Sequence, residues 1–114
     1  MIKQLNGNTK DLYQSMETII TVNNETKQVR IELRYLPKTE KWYLSMFDSQ
    51  SGESYFRYVP VVSCKKDKNN LIAPFYYKNV GSVVCVPMYD ETSSVNPVEK
   101  NLGEFMIAWG DAIV

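Results

Sequence analysis

Alternation between apolar and polar positions is cleanest between Lys27 and Ser63, where three runs lie end to end. The first, Val29 to Tyr35, puts Val29, Ile31, Leu33 and Tyr35 on one side and Arg30, Glu32 and Arg34 on the other. A period of two marks a strand with one buried and one wet face. After Pro37-Lys38-Thr39-Glu40, a second run places Trp42, Leu44 and Met46 inward, with Tyr43, Ser45 and Phe47 opposite. The third, Ser54 to Val62, follows the turn Asp48-Ser49-Gln50-Ser51-Gly52, with Tyr55, Arg57 and Val59 on one face and Phe56 and Tyr58 on the other. Pro60 cannot donate to a ladder, which puts this strand at an edge, a bend or a bulge. Tyr43, Phe47, Phe56 and Tyr58 thus fall where a sheet alone in water would be polar. That face calls for a cover, from the chain's own second layer or from another subunit.

The flanking segments extend the β pattern. Met16 to Val22 is a β-branched run leading through Asn23-Asn24-Glu25-Thr26, a tight-hairpin turn, into the strand that starts near Lys27. Leu71 to Tyr77 reads as a short strand ending in aromatics, and Ser82 to Pro87 as a strand covered on both sides. Glu104 to Trp109 is the last strand, with Phe105, Ile107 and Trp109 on one face. Pro97 to Leu102 suits a single helical turn within the long break from Met88 to Gly103. Residues 1–15 read either as a frayed terminus or as an extended arm that orders against a neighbouring subunit. About seven antiparallel strands and no long amphipathic helix predict an all-β single domain over residues 1–114, a sandwich or a small, partly open barrel.

Composition narrows the chemistry. Thirteen basic and thirteen acidic residues cancel, so the chain lacks the bulk field that draws a protein onto nucleic acid or anionic lipid. The loop Lys65 to Asn70 holds three lysines beside an aspartate, a weak phosphate footprint and an ordinary solvated hairpin tip. No apolar run reaches the roughly 20 residues that span a bilayer, so no membrane insertion is expected. Met1 to Tyr13 has no signal-like apolar stretch, pointing to cytosolic synthesis; Cys64 and Cys85 then read by default as reduced core thiols, with a disulfide between them as the alternative.

The chain contains no histidine, which removes Ser-His and Cys-His nucleophiles, His-ligated zinc and a histidine pH switch. Carboxylates remain, but Asp48, Glu53, Asp90 and Glu91 all lie in turns, where acids cap and solvate. No phosphate loop, nucleotide fingerprint or calcium ladder appears, and the expectation is a non-enzyme without cofactor or metal. Tyr43, Tyr55, Tyr58, Tyr76, Tyr77 and Tyr89 suit ordinary sheet packing, a protein interface or a sugar-binding platform. A carbohydrate- or ligand-binding β-domain using exposed tyrosines is therefore the alternative reading.

The order of features also resembles a known family. A hairpin with Ile19-Ile20-Thr21-Val22 and Val29 to Tyr35 precedes a break, then Lys41-Trp42-Tyr43-Leu44-Ser45-Met46, Asp48 and a glycine turn. Asn101-Leu102-Gly103 then leads into the final strand. Over Met16 to Trp109 this is similar to the small baseplate plug proteins of phage tails and tail-like particles. The resemblance implies a non-enzymatic structural protein, homo-oligomeric in the assembly, placed near hub, spike or tube subunits at the tube tip. It implies assembly in the bacterial cytoplasm and residence in the tail baseplate. Trp42, Tyr43, Leu102 and Gly103 are the fold positions it carries; Phe47, Phe56 and Tyr58 join them as interface candidates from the apolar face.

Overall fold

A computed structural model describes residues 2–5, 11–62, 70–88, 97, 102 and 105–111. Seven strands form in chain order: β1 (Ile2–Gln4), β2 (Tyr13–Val22), β3 (Glu25–Leu36), β4 (Lys41–Asp48), β5 (Ser54–Pro60), β6 (Ser82–Pro87) and β7 (Phe105–Gly110). A 3-10 helix, Ala73–Lys78, lies between β5 and β6. The strands make two open antiparallel sheets, one ordered β2-β3-β4-β5 and the other β1-β7-β6. Neither sheet closes on itself, so the chain is an all-β domain of the layered kind rather than a barrel.

Turn chemistry sets the first hairpin. Asn23 and Asn24 both hold positive φ, 53° and 66°, and pair Val22 with Glu25. Asparagine tolerates the left-handed region, and two such residues give the reversed turn whose twist matches a hairpin. The ladder then runs without a break to Tyr13 opposite Arg34, so β2 begins three residues before the expected Met16. At the next corner the Leu36 carbonyl accepts from the backbone N–H of Thr39 and Glu40, closing β3 onto β4.

One core joins the layers. Ile31, Leu33, Trp42, Leu44 and Met46 of the larger sheet are buried together with Val83, Cys85, Phe105, Ile107 and Trp109 of the smaller. Tyr35 stacks on Trp42 with ring centres 5.5 Å apart. The expected inward set of β3 and β4 is therefore the set found. On β6 the expected double cover is partial, since Val84 and Val86 are only half-buried. Cys85 is a core residue; Cys64, the Lys65 to Asn69 loop, Tyr89 and Gly103 lie outside the described residues. In the long break, Pro97 and Leu102 are both buried.

Two expectations change. The segment from Leu71 to Tyr77 is not a strand. Pro74 sits in the first turn of the 3-10 helix, where its missing N–H and fixed φ suit a helix start, and Asn79 ends it at φ 53° with its N–H on the Tyr76 carbonyl. The seventh strand comes instead from the N-terminal arm, where Ile2–Gln4 pairs with Gly110, Trp109 and Ala108 of β7. The second change concerns β5. It does lie at a sheet edge, as Pro60 requires, but its pairing with β4 shifts twice. Met46 faces Phe56 while Leu44 faces Val59, so Arg57 and Tyr58 together oppose Ser45. This bulge turns Phe56 inward, where it is 2 % exposed, whereas strict alternation had grouped it with Tyr58 on the outer face.

Candidate interaction surface

The register of β2, β3 and β4 places arginines and aromatic rings next to each other on the outer face. Antiparallel pairing sets Arg34 beside both Tyr13 and Tyr43, and Arg30 beside Phe47. The Arg34 guanidinium lies over the Tyr13 ring at 4.8 Å. Those of Arg30 and Arg57 lie over Phe47 at 4.9 and 5.5 Å. Tyr43 and Tyr58 meet edge to face with centroids 6.3 Å apart, and the Tyr43 hydroxyl donates to Thr39 Oγ1 at 2.9 Å. The cover that Phe47 calls for thus comes from two guanidinium groups of its own sheet. A cation held over a ring is attracted by the ring's quadrupole, and its stem shields the ring from water.

Between these groups is a depression of about 230 Å³, lined by Glu32, Arg34, Ser45, Phe47, Arg57 and Tyr58. Ser45 is its floor, only 6 % exposed, and Tyr58, 51 % exposed, is its open aromatic wall. The bulge builds this geometry. Tyr58 takes φ 54°, unusual for an aromatic residue, and its backbone N–H donates to Ser45 Oγ at 3.0 Å. Ser45→Ala removes that acceptor and leaves a partly buried N–H without its partner. The expected cost is about 1 kcal/mol in urea unfolding, with the largest amide shifts at Arg57 and Tyr58.

The Asp48 carboxylate is used to hold the β4–β5 turn. Asp48 Oδ1 accepts from the N–H of Gln50 at 2.8 Å and of Ser51 at 3.0 Å, and Oδ2 accepts from the Tyr55 hydroxyl at 3.1 Å. The Ser51 and Gln50 N–H groups hold the Asp48 carboxyl below the usual aspartate range. Burial and then the Asp48 carboxylate push the Tyr55 phenol up to about 12. A phenol pKa raised by folding stabilises the fold fully below its unfolded value near 10 and loses that contribution as pH rises toward 12. Stability is therefore expected to fall between those pH values, and Tyr55→Phe is expected to flatten the decline in thermal melts across that window. At the acid end, Asp48 loses its contribution below about pH 4 as the carboxyl protonates.

The remaining tyrosines divide. Tyr76 and Tyr77 are 62 % and 64 % exposed, with rings 5.9 Å apart at 87° and Lys78 Nζ 5.8 Å from the Tyr77 ring. Their helix is tied to the β2–β3 hairpin tip by Asn79, whose Nδ2 donates to Glu25 Oε2 at 2.9 Å and whose Oδ1 accepts from Asn23 Nδ2 at 3.1 Å. This bond and Lys27 hold the Glu25 carboxyl below its ordinary value. A larger hollow of about 490 Å³ opens over Ile31 and Leu33 beside β2, and among the described residues Asp11 is the single carboxylate of its lining.

Of the residues singled out in the sequence, the structure gathers Tyr43, Phe47 and Tyr58 on one surface. It sends Trp42, Phe56 and Leu102 to the core, all at 2 % exposure or less. Asp90 and Glu91 lie outside the described residues. What alternation alone missed is the role of the arginines: Arg30 and Arg34 looked like an ordinary wet face, and Arg57 was grouped with Tyr55 and Val59, on the face opposite Tyr58. The signal was present in the hairpin turns: Val22 opposite Glu25 forces Tyr13 opposite Arg34, and Leu36 opposite Lys41 forces Arg30 opposite Phe47. Compared with known proteins, the chain matches no family model and no curated protein sequence.

Proposed function

We propose that this chain is a non-enzymatic structural component that works by docking onto neighbouring proteins through the outer face of its four-stranded sheet. The observation that carries this reading is the surface cluster of exposed Tyr58 with half-buried Tyr43 and Phe47, interleaved with exposed Arg34 and Arg57. Arginine and tyrosine are the side chains most enriched at the energetic centres of protein interfaces. The resemblance to baseplate plug proteins supplies the setting: a phage tail or tail-like particle, with hub, spike or tube subunits as partners and a homo-oligomer in the assembly. The chain is then made in the bacterial cytoplasm and ends in the particle. No helix among the described residues is long and apolar enough to cross a membrane.

The test is incorporation. Tail particles purified from cells producing the tagged chain are expected to contain it at fixed stoichiometry, and Tyr58→Glu is expected to deplete it while leaving the free chain folded. A chain that is strictly monomeric and never co-purifies with tail proteins overturns the reading.

A second reading, carbohydrate binding, is favoured by the exposure of Tyr76 and Tyr77. Their near-perpendicular rings offer one stacking plane at a time, and Tyr55 is committed to Asp48. Glycan-array binding lost on Tyr76→Ala would support it; silence at millimolar sugar would count against it.

A further inference from the structure

We infer that the depression on the outer sheet face takes an acidic segment of a partner protein, its carboxylates gripped by Arg34 and Arg57. This rests on the docking reading and specifies the partner's chemistry. Two guanidinium groups, those of Arg34 and Arg57, and one carboxylate, that of Glu32, line the depression. Arg30 Nε already donates to Glu32 Oε2 at 3.0 Å, which offsets that negative charge within the chain. Arg34 and Arg57 are exposed and have no carboxylate partner among the described residues. Both are held by a ring rather than left to wander, Arg34 on Tyr13 and Arg57 on Phe47.

A stacked guanidinium keeps its planar fork of N–H donors free at the edge, in the geometry that matches a carboxylate two bonds at a time. Part of the side-chain ordering cost is met before any partner arrives. The backbone supplies a second, independent argument. The Tyr58 bulge, held at positive φ by Ser45 Oγ, is what brings Arg57 and Tyr58 to the same face at once. A non-glycine residue is strained there, and such strain gathers where a fold presents side chains for recognition.

The occupant favoured is protein rather than nucleic acid. The chain's charges cancel, so no wide field draws a polyanion. Glu17, within the outer surface of β2, and Glu40, at the β3–β4 turn, are exposed carboxylates that would meet the flanking phosphates of an extended nucleic acid. A short carboxylate-bearing segment instead matches two cations separated by an aromatic wall.

The experiment uses the full chain labelled with 15N, following the arginine Nε–Hε signals as a nonapeptide of alternating valine and glutamate is added. The expected result is saturable shifts at Arg34 and Arg57, weakening with salt, with affinity reduced about tenfold or more in Arg34→Gln/Arg57→Gln. Both residues are exposed, so the double variant should keep its amide spectrum, which is the check on folding. Arg34→Lys/Arg57→Lys should bind nearly as poorly as the glutamine pair, because charge without the fork is insufficient; full rescue by lysine overturns the proposed grip. No shift with the peptide overturns the inference, as does a single-stranded oligonucleotide that binds more tightly than the peptide. Concentration-dependent shifts at the same arginines without any peptide assign the face to a second copy of the chain and overturn it equally. If the glutamine pair still enters tail particles while the peptide fails, this inference falls and docking through another part of the surface stands.

Discussion

Gly81→Ala is expected to be the most damaging change of a single methyl group in this chain. Gly81 precedes β6 with φ +84°, in the region where a Cβ meets the following carbonyl, a cost of roughly 1–2 kcal/mol for an L-residue. Space adds a second cost. A Cβ built there falls on the Gly110 carbonyl oxygen and lies 2.6 Å from Trp109 Nε1. Backbone on one side cannot give way. On the other, Trp109 is 1 % exposed and its indole N–H donates to the Val80 carbonyl at 2.6 Å, so moving the ring breaks a buried hydrogen bond. Overpacking of a tight core typically costs about 1–3 kcal/mol by itself. The sum is about 3–5 kcal/mol, read as a fall in melting temperature of roughly 10–20 °C or as failure to fold. A Gly81→Ala protein melting within a few degrees of the parent would show that β6 enters the sheet differently.

The four-stranded sheet was legible because its determinants are local. Alternation in β3 and β4 named the buried set, and the Asn23-Asn24 and Pro37–Glu40 turns fixed the register between β2, β3 and β4. The same arithmetic fails beyond Asp48. Counting regularly from the β4–β5 turn pairs Ser45 with Phe56, whereas one extra residue, Tyr55, shifts Phe56 onto Met46, and a second bulge follows at Arg57 and Tyr58. A bulge is a compromise between strand length, twist and packing, and Ser45 Oγ, which holds it, looks like any other serine in the sequence. The segment Leu71 to Tyr77 failed for a different reason. Its aromatics raise β-propensity, but Pro74 removes a ladder donor and the left-handed Asn79 closes a helical turn. The strand β1 carries only three residues and pairs with the far end of the chain, a contact that no local pattern announces.

The interaction surface was half legible for related reasons. Tyr43 and Phe47 stood out because they interrupt a polar face. Arg30 and Arg34 did not, because a charged residue on a wet strand face is what a solvated sheet ordinarily shows, and strict alternation put Arg57 on the face opposite Tyr58. Their meaning depends on which ring lies beside each across the ladder, and for Arg57 that neighbour exists only because of the bulge. Half-buried Phe47, with the guanidinium groups of Arg30 and Arg57 over its ring, is consistent with a face shielded from unspecific contact. The stems shield Phe47 from unspecific association while the guanidinium edges remain open.

Trp42→Ala and Tyr58→Ala separate the two kinds of position that the sequence had grouped together. Trp42 is 1 % exposed, stacks on Tyr35, and contributes the backbone carbonyl that accepts from Val61 N–H, carrying the chain out of β5. Truncating it leaves a large cavity beneath the β3–β4 corner, and removal of a buried tryptophan costs about 3–5 kcal/mol. In a domain of 114 residues that is a large share of the whole stability, commonly about 5–15 kcal/mol. The expected result is a partly or wholly unfolded protein at 37 °C, seen as collapse of amide dispersion, with any loss of partner binding secondary to it. Tyr58 is half-exposed, and its ring touches Tyr43 at the surface. Its truncation loses an edge-to-face contact of roughly 0.5–1.5 kcal/mol, so the fold should persist with a modest drop in urea midpoint. Incorporation into the assembly should nevertheless fall, because an exposed aromatic wall of the depression has gone. The decisive comparison is incorporation measured against the fraction folded. A Tyr58→Ala chain that is folded yet enters its assembly undiminished would move the docking site away from this face, whereas a Trp42→Ala chain can report only on the core that holds the face in place.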